Sequence, residues 1–116
     1  MASFQKKRFE KPDETTSHPK TKVEIVRMSD LTLTRTTYIP GWKWSIDIKP
    51  IAGTKSCQKR HVGYCISGHL AGNLDDGSKW ELGPGDVIDI PPGHDGWVVG
   101  NEPAVLLDFG YPTISK

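Results

Sequence analysis

From residue 23 onward the chain is built of short segments in which apolar and polar positions alternate, separated by closely spaced turn signals. Residues Val23 to Met28, Leu31 to Tyr38, His61 to Leu74, Lys79 to Leu82, Val87 to Ile90 and Ala104 to Phe109 carry this period-two pattern, which marks half-buried strands. The clearest case runs from Trp42 to Ile48, with Trp42, Trp44, Ile46 and Ile48 on one face and Lys43, Ser45 and Asp47 on the other. It predicts a seventh strand. The turns fall at Pro40-Gly41, Asp76-Gly77, Gly83-Pro84-Gly85, Pro91-Pro92-Gly93 and Asn101-Glu102-Pro103. No window beyond residue 23 sustains a helical apolar period with caps, so the chain is expected to be all-β. Strands this short bury little alone and must close on a second sheet, which points to a barrel, a jelly roll or a sandwich.

The length of 116 residues allows one domain with one core. The net charge of +1 hides an asymmetry: residues 1–22 hold six Lys/Arg against three Asp/Glu, and the rest hold nine against eleven. Residues 1–22 therefore read as a flexible basic arm and residues 23–116 as the barrel domain. Removing the first 20 residues is expected to leave the melting temperature nearly unchanged, because Phe4 and Phe9 are the only large apolar side chains there beyond Met1. Such an arm could grip nucleic acid, but the body has no basic face and no recognised nucleic-acid module. No apolar run is long enough to span a bilayer and none follows the basic N-terminus, so a soluble, cytoplasmic protein is expected. Eight residues of strand would set Cys57 and Cys65 roughly 26 Å apart, which predicts free thiols unless the chain bends sharply.

The stretch from Tyr64 to Gly93 resembles the cupin family. Tyr64-Cys65-Ile66-Ser67-Gly68 is similar to the end of the first cupin motif, Asp76-Gly77 follows at the usual spacing, and Gly85, Pro91, Pro92 and Gly93 match the scaffold of the second. The resemblance covers roughly residues 35 to 110 and implies a double-stranded β-helix, or jelly-roll, barrel with a small-molecule pocket between its sheets. Cupins usually hold a metal with three His and one Glu, and here the pattern departs. Counted back from Gly68, the Glu position holds His61 and the two His positions hold Lys55 and Cys57; the second motif's ligand position holds Gly96, with His94 two residues earlier. A second count, from Gly53 to Gly72, puts Lys59 and His61 in the His-x-His positions and Cys65 in that of Glu. The first count is preferred for the placement it gives Tyr64 to Gly68.

Residues two or four apart on a strand share a face, so Cys57, His61 and His94 are candidate metal ligands on one cavity. A thiolate and two imidazoles suit zinc, copper or nickel, with iron a further candidate. The competing reading makes them hydrogen-bonded or packing residues of a metal-free pocket. Trp42, Trp44, Tyr64 and Trp97 are the candidate pocket lining, and Tyr64 and the Cys57 thiol the candidate catalytic groups. Asp95 is either a partner of the His94 imidazole or a turn residue. Two functions are implied: a metal-dependent enzyme of dioxygenase, isomerase, epimerase or decarboxylase type, or a non-catalytic binding or sensing module. A homodimer is expected, paired through ladder edges between Val23 and Tyr38.

Overall fold

The protein is described here by a computed structural model covering residues 3–110. Nine strands form two facing antiparallel sheets. The larger contains β1 (Glu14–His18), β2 (Thr21–Arg27), β3 (Thr32–Tyr38), β4 (His61–Ser67), β7 (Val87–Ile90) and β9 (Ala104–Phe109), in the order β1-β2-β3-β9-β4-β7. The smaller contains β5 (His69–Leu74), β6 (Lys79–Leu82) and β8 (His94–Val99), in the order β6-β5-β8. Chain neighbours such as β4 and β5 lie in different sheets, while β9 returns between β3 and β4. This is the all-β architecture expected from the alternation, in the jelly-roll form that the cupin resemblance implies. Inward positions on facing strands, among them Tyr38, Leu70, Leu82, Ile90 and Leu106, make one apolar core between the sheets. The expected barrel domain extends to residue 116, and its last six residues lie outside the described part.

The predicted strand at Trp42 to Ile48 is replaced by two short helices, α1 (Trp44–Asp47) and α2 (Lys49–Ala52). Trp42, Trp44 and Ile48 are buried as expected, but Ile46 is 66% exposed, which no regular strand with that face inward would allow. Two carboxylates favour the helical turn. The Lys43 N–H donates to Asp47 Oδ2 at 3.0 Å and the Ser45 N–H to Asp95 Oδ1 at 3.1 Å, satisfying donors at a helix start. Pro50 has no N–H for a ladder, and Gly53, at φ +74°, ends α2 in the left-handed conformation. Asp95 thus serves the backbone of α1, not the His94 imidazole.

The N-terminal arm also differs from expectation. Strand β1 pairs along its length with β2, from Glu14 opposite Ile25 to His18 opposite Thr21, so the boundary placed at residue 22 falls inside β2. Arg27 binds Glu14, Lys7 binds Asp13 and the Arg27 carbonyl, and Arg35 stacks its guanidinium 5.0 Å from the centre of the Phe9 ring. Strand β2 is therefore an interior strand, and the ladder edge proposed for a dimer at Val23 to Tyr38 is covered by the chain itself. Deleting residues 1–20 is now expected to lower the melting temperature by several degrees, since it removes a whole ladder and opens the β2 edge. Thermal denaturation followed by circular dichroism checks this; an unchanged midpoint would mean the β1 pairing adds nothing to stability.

Candidate metal centre

The site is assembled where the chain between β3 and β4 runs along the free edge of β8. Two isolated bridges fasten it there, Lys43 to Trp97 and Cys57 to His94, with α1 and α2 looping out between them. The Cys57 N–H donates to the His94 carbonyl at 2.8 Å, and the Gly93 N–H donates to the Cys57 carbonyl at 2.7 Å. These bonds fix the thiol beside the imidazole. His61 begins β4 on its inward face, and β4 lies between β7 and β9 of the opposite sheet. The three side chains meet across the interior: the His61 and His94 ring centres are 5.0 Å apart, and Cys57 Sγ is 3.9 Å from His61 Nε2. One donor atom from each of Cys57, His61 and His94 lies within 4.8 Å of the others, and all three residues are buried.

Each imidazole has its other nitrogen held from behind. His94 Nδ1 is 2.7 Å from the Pro91 carbonyl, which can only accept, so Nδ1 carries a proton and Nε2 is the nitrogen left for the cavity. His61 Nδ1 is 3.3 Å from Asp108 Oδ1, so His61 too turns Nε2 toward the thiol. Such outer partners orient metal-binding imidazoles and raise their basicity. Burial works against ionisation of both His61 and Cys57, yet their mutual contacts prevail. Asp108 and Cys57 raise His61 to about 9, while His61 and His94 hold the Cys57 thiol down at about 6. These contacts favour the proton on His61 over the Cys57 sulfur, and a metal ion would take the place of the His61 Nε2 proton.

The donor set fits a transition metal. A tetrahedral ion bound to sulfur at about 2.3 Å and to nitrogen at about 2.0 to 2.1 Å needs donors about 3.3 to 3.6 Å apart. The three atoms lie within 4.8 Å of one another, with Cys57 Sγ and His61 Nε2 at 3.9 Å, so they would have to draw closer to hold an ion.

Above them is a cavity of about 50 Å³. Its wall is mostly apolar, with Trp42 and Trp44 in it as expected, joined by Tyr38 and Trp80. Tyr64 and Trp97 do not line it. Tyr64 is three residues from His61, hence on the opposite face of β4, and is 39% exposed. Trp97 is likewise three residues from His94 and carries the Lys43 ammonium 5.1 Å from its ring centre. The residues missed from the sequence are Tyr38, Trp80 and Asp108, and alternation was a usable signal for each: Tyr38 follows Thr34 and Thr36, Trp80 precedes Leu82, and Asp108 follows Ala104 and Leu106, all at steps of two. Cys65 is buried in the core with its Sγ near the Ser67 and Gly68 carbonyls, and takes no part in the site. Both cysteines are free thiols.

No family model and no curated protein matches the chain. Solved structures do, and cupins are among them. KdgF from Halomonas sp. superposes with a TM-score of 0.58 at 20% identity, over 89% of this chain and 88% of that one. An RmlC-like cupin from Shewanella frigidimarina gives 0.64 at 17% identity, over 98% and 95%. The polyketide cyclase RemF from Streptomyces resistomycificus gives 0.63 at 19% identity, over 97% and 81%. The chain has the fold of a small cupin. No helix among the described residues is long and apolar enough to cross a membrane.

Proposed function

We propose that this cupin is a metal-dependent enzyme acting on a small organic molecule, with the metal held by Cys57, His61 and His94. The observation that carries this reading is the number and placement of the donors: three buried ligands converge at the floor of a cavity, with a fourth direction open to it. Structural zinc sites close with four protein ligands, whereas catalytic sites keep three and leave one position for water or substrate. The soft thiolate favours zinc, copper, nickel or iron over magnesium and calcium.

When bound, such an ion would supply Lewis acidity at the open position. The chain's own residues do the rest. Asp108 and the Pro91 carbonyl fix the two imidazoles, the aromatic wall excludes water, and the wall's hydroxyl residues, Tyr38 and Thr21, are the candidates for moving a proton. That part was expected of Tyr64, which faces away. The reaction type, whether dioxygenase, isomerase, epimerase or decarboxylase, is set by the substrate. A metal-free binding or sensing module is the competing function, and the contacts of Cys57 with His61 and of His61 with Asp108 are what it would use. The free thiols fit a reducing cytoplasm.

Metal analysis of untagged protein tests the reading: one transition-metal ion per chain is expected, and cobalt substitution should give a thiolate-to-cobalt charge-transfer band that Cys57→Ser abolishes. Metal below a tenth of an equivalent after incubation with zinc, cobalt and iron(II) would overturn it. Asp108→Asn should weaken metal affinity roughly 10-fold to 100-fold, because the amide supports the His61 imidazole less well than the carboxylate. Competition against a chelating dye measures this. We also propose a homodimer, now through the β7 side of the larger sheet, where Val87 and Ile66 are exposed. Light scattering at micromolar concentration checks it, and a monomer would count against it.

A further inference from the structure

The cavity is small and its donors are hard to reach. Its volume of about 50 Å³ is a third of the roughly 150 Å³ in which an engineered apolar cavity holds benzene. Cys57, His61 and His94 are only 6%, 7% and 5% exposed, so an organic molecule needs part of the wall to move before it can meet them. Most of the wall is fixed in the two sheets. The exception is the side supplied by the chain between β3 and β4, which contributes Trp42, Trp44 and Ile48 as well as Cys57.

That chain is fastened unevenly. Its start is tied to β8 by the Lys43 to Trp97 bridge and by the Ser45 N–H on Asp95, and its end by the Cys57 to His94 bridge. Between these ties the backbone hydrogen bonds of residues 46–55 stay within residues 43–53, and α2 buries no residue. Gly53 stands in open space, where an added Cβ would meet nothing within 4 Å. Among the described residues one polar contact ties this stretch to the barrel: Lys20 Nζ lies 3.1 Å from Asp47 Oδ1. Lys20 stands in the turn between β1 and β2 at φ +55°, the only non-glycine with positive φ among the described residues. Glycine takes that conformation without steric cost, so the strain of a lysine there is matched by what its side chain reaches. Its stem runs along Gly41, where an added Cβ would come 3.6 Å from Lys20 Cε. The ammonium is partly exposed while the Asp47 carboxylate is buried, so water competes for one end of the pair and lets it part.

We propose that residues 46–55 are a gate over the cavity, latched by Lys20 on Asp47, and that small organic molecules enter when the latch parts and Ile48 leaves the wall. Opening supplies the volume that such a substrate needs and the closed cavity lacks. The inference rests on the reading of this cavity as the site of reaction, but the gate itself needs no metal.

Alkylation of Cys57 by iodoacetamide on the full metal-free chain, read by peptide mass spectrometry, measures how often the gate opens. Cys65 is the internal control: it is fully buried and does not line the cavity, so it reacts only when the barrel itself loosens. Lys20→Met keeps the stem and strips a buried carboxylate of its partner. It should speed Cys57 labelling at least about 5-fold and leave Cys65 within about 2-fold. Lys20→Arg, which keeps the cation, and Lys49→Met, which removes a gate charge outside the latch, should each stay within about 2-fold of wild type at Cys57. Unchanged Cys57 labelling in Lys20→Met, equal acceleration of both cysteines, or Lys49→Met matching Lys20→Met would overturn the gate. Zinc uptake is measured on the same variants. A chain that takes up no zinc while Lys20→Met still speeds Cys57 labelling sinks the metal reading and supports the gate, whereas one zinc per chain with unchanged labelling sinks the gate alone.

Discussion

Replacing His61 with Ala is expected to abolish stoichiometric metal binding. The substitution removes one of only three protein donors, and the remaining pair, Cys57 and His94, sits on neighbouring backbone at one side of the cavity. The loss should exceed the roughly 100-fold that marks removal of an outer partner. His61→Ala has a second effect, because the Asp108 carboxylate then loses its partner on Oδ1 while Oδ2 already has none among the described residues. A buried carboxylate left in that state costs about 1 to 3 kcal/mol or more, so this variant should also melt lower. Cys57→Ala separates the two effects. It removes a donor without stripping Asp108, and should lose metal while keeping a melting temperature close to that of metal-free wild type. Metal-to-protein ratios after dialysis against buffered zinc, with melting curves on the same samples, decide the matter. Full occupancy in both Cys57→Ala and His94→Ala would mean that the metal sits elsewhere.

The arrangement of this centre was legible wherever strands are regular. Alternation along β4 places His61 inward, and the even step from the second motif's ligand position places His94 inward, as both are found. The same rule applied to Tyr64 and Trp97 puts them outside, since each is an odd number of residues from the histidine it was grouped with. Their selection rested on nearness in sequence, not on register. The segment from Trp42 to Ile48 was misread for a different reason. Trp44 and Ile48 are four apart, a spacing that strand and helix both bury, and it is the exposed Ile46 and the buried Asp47 that distinguish the two. The Asp47 and Asp95 carboxylates that tip the balance act through tertiary contacts, and Asp95 lies 50 residues from the Ser45 N–H it accepts. Strand β1 gave no signal because Glu14-Thr15-Thr16-Ser17-His18 has no apolar face to alternate. It is an outer strand held by backbone pairing and by the Arg27 to Glu14 contact.

Gly63→Ala should be the most damaging single-methyl change near the site. Gly63 lies on β4 opposite Asp108 of β9, and a Cβ there would come 1.8 Å from the Leu107 carbonyl oxygen and 3.1 Å from Asp108 Cα. Both neighbours are backbone of the adjoining strand, so the clash cannot be relieved by turning a side chain. Strand β4 must instead move away from β9, in the middle of the larger sheet. Overpacking a core costs typically 1 to 3 kcal/mol, and separating two paired strands belongs at or above the top of that range. For a domain of this size that corresponds to a fall in melting temperature of roughly 10 to 20 °C. The displacement also reaches the chemistry, because β4 carries His61 and β9 carries Asp108, and the 3.3 Å contact between them depends on the close approach that Gly63 permits. Metal affinity should therefore drop even at temperatures where the variant remains folded. Lys79→Ala, at an exposed position of β6 away from both the site and the proposed dimer edge, is the control and should change stability by no more than about 0.5 kcal/mol. If Gly63→Ala melts within 3 °C of wild type and keeps its metal, then β4 and β9 are not held as closely as this packing requires, and the support that Asp108 gives to His61 must come from some other geometry.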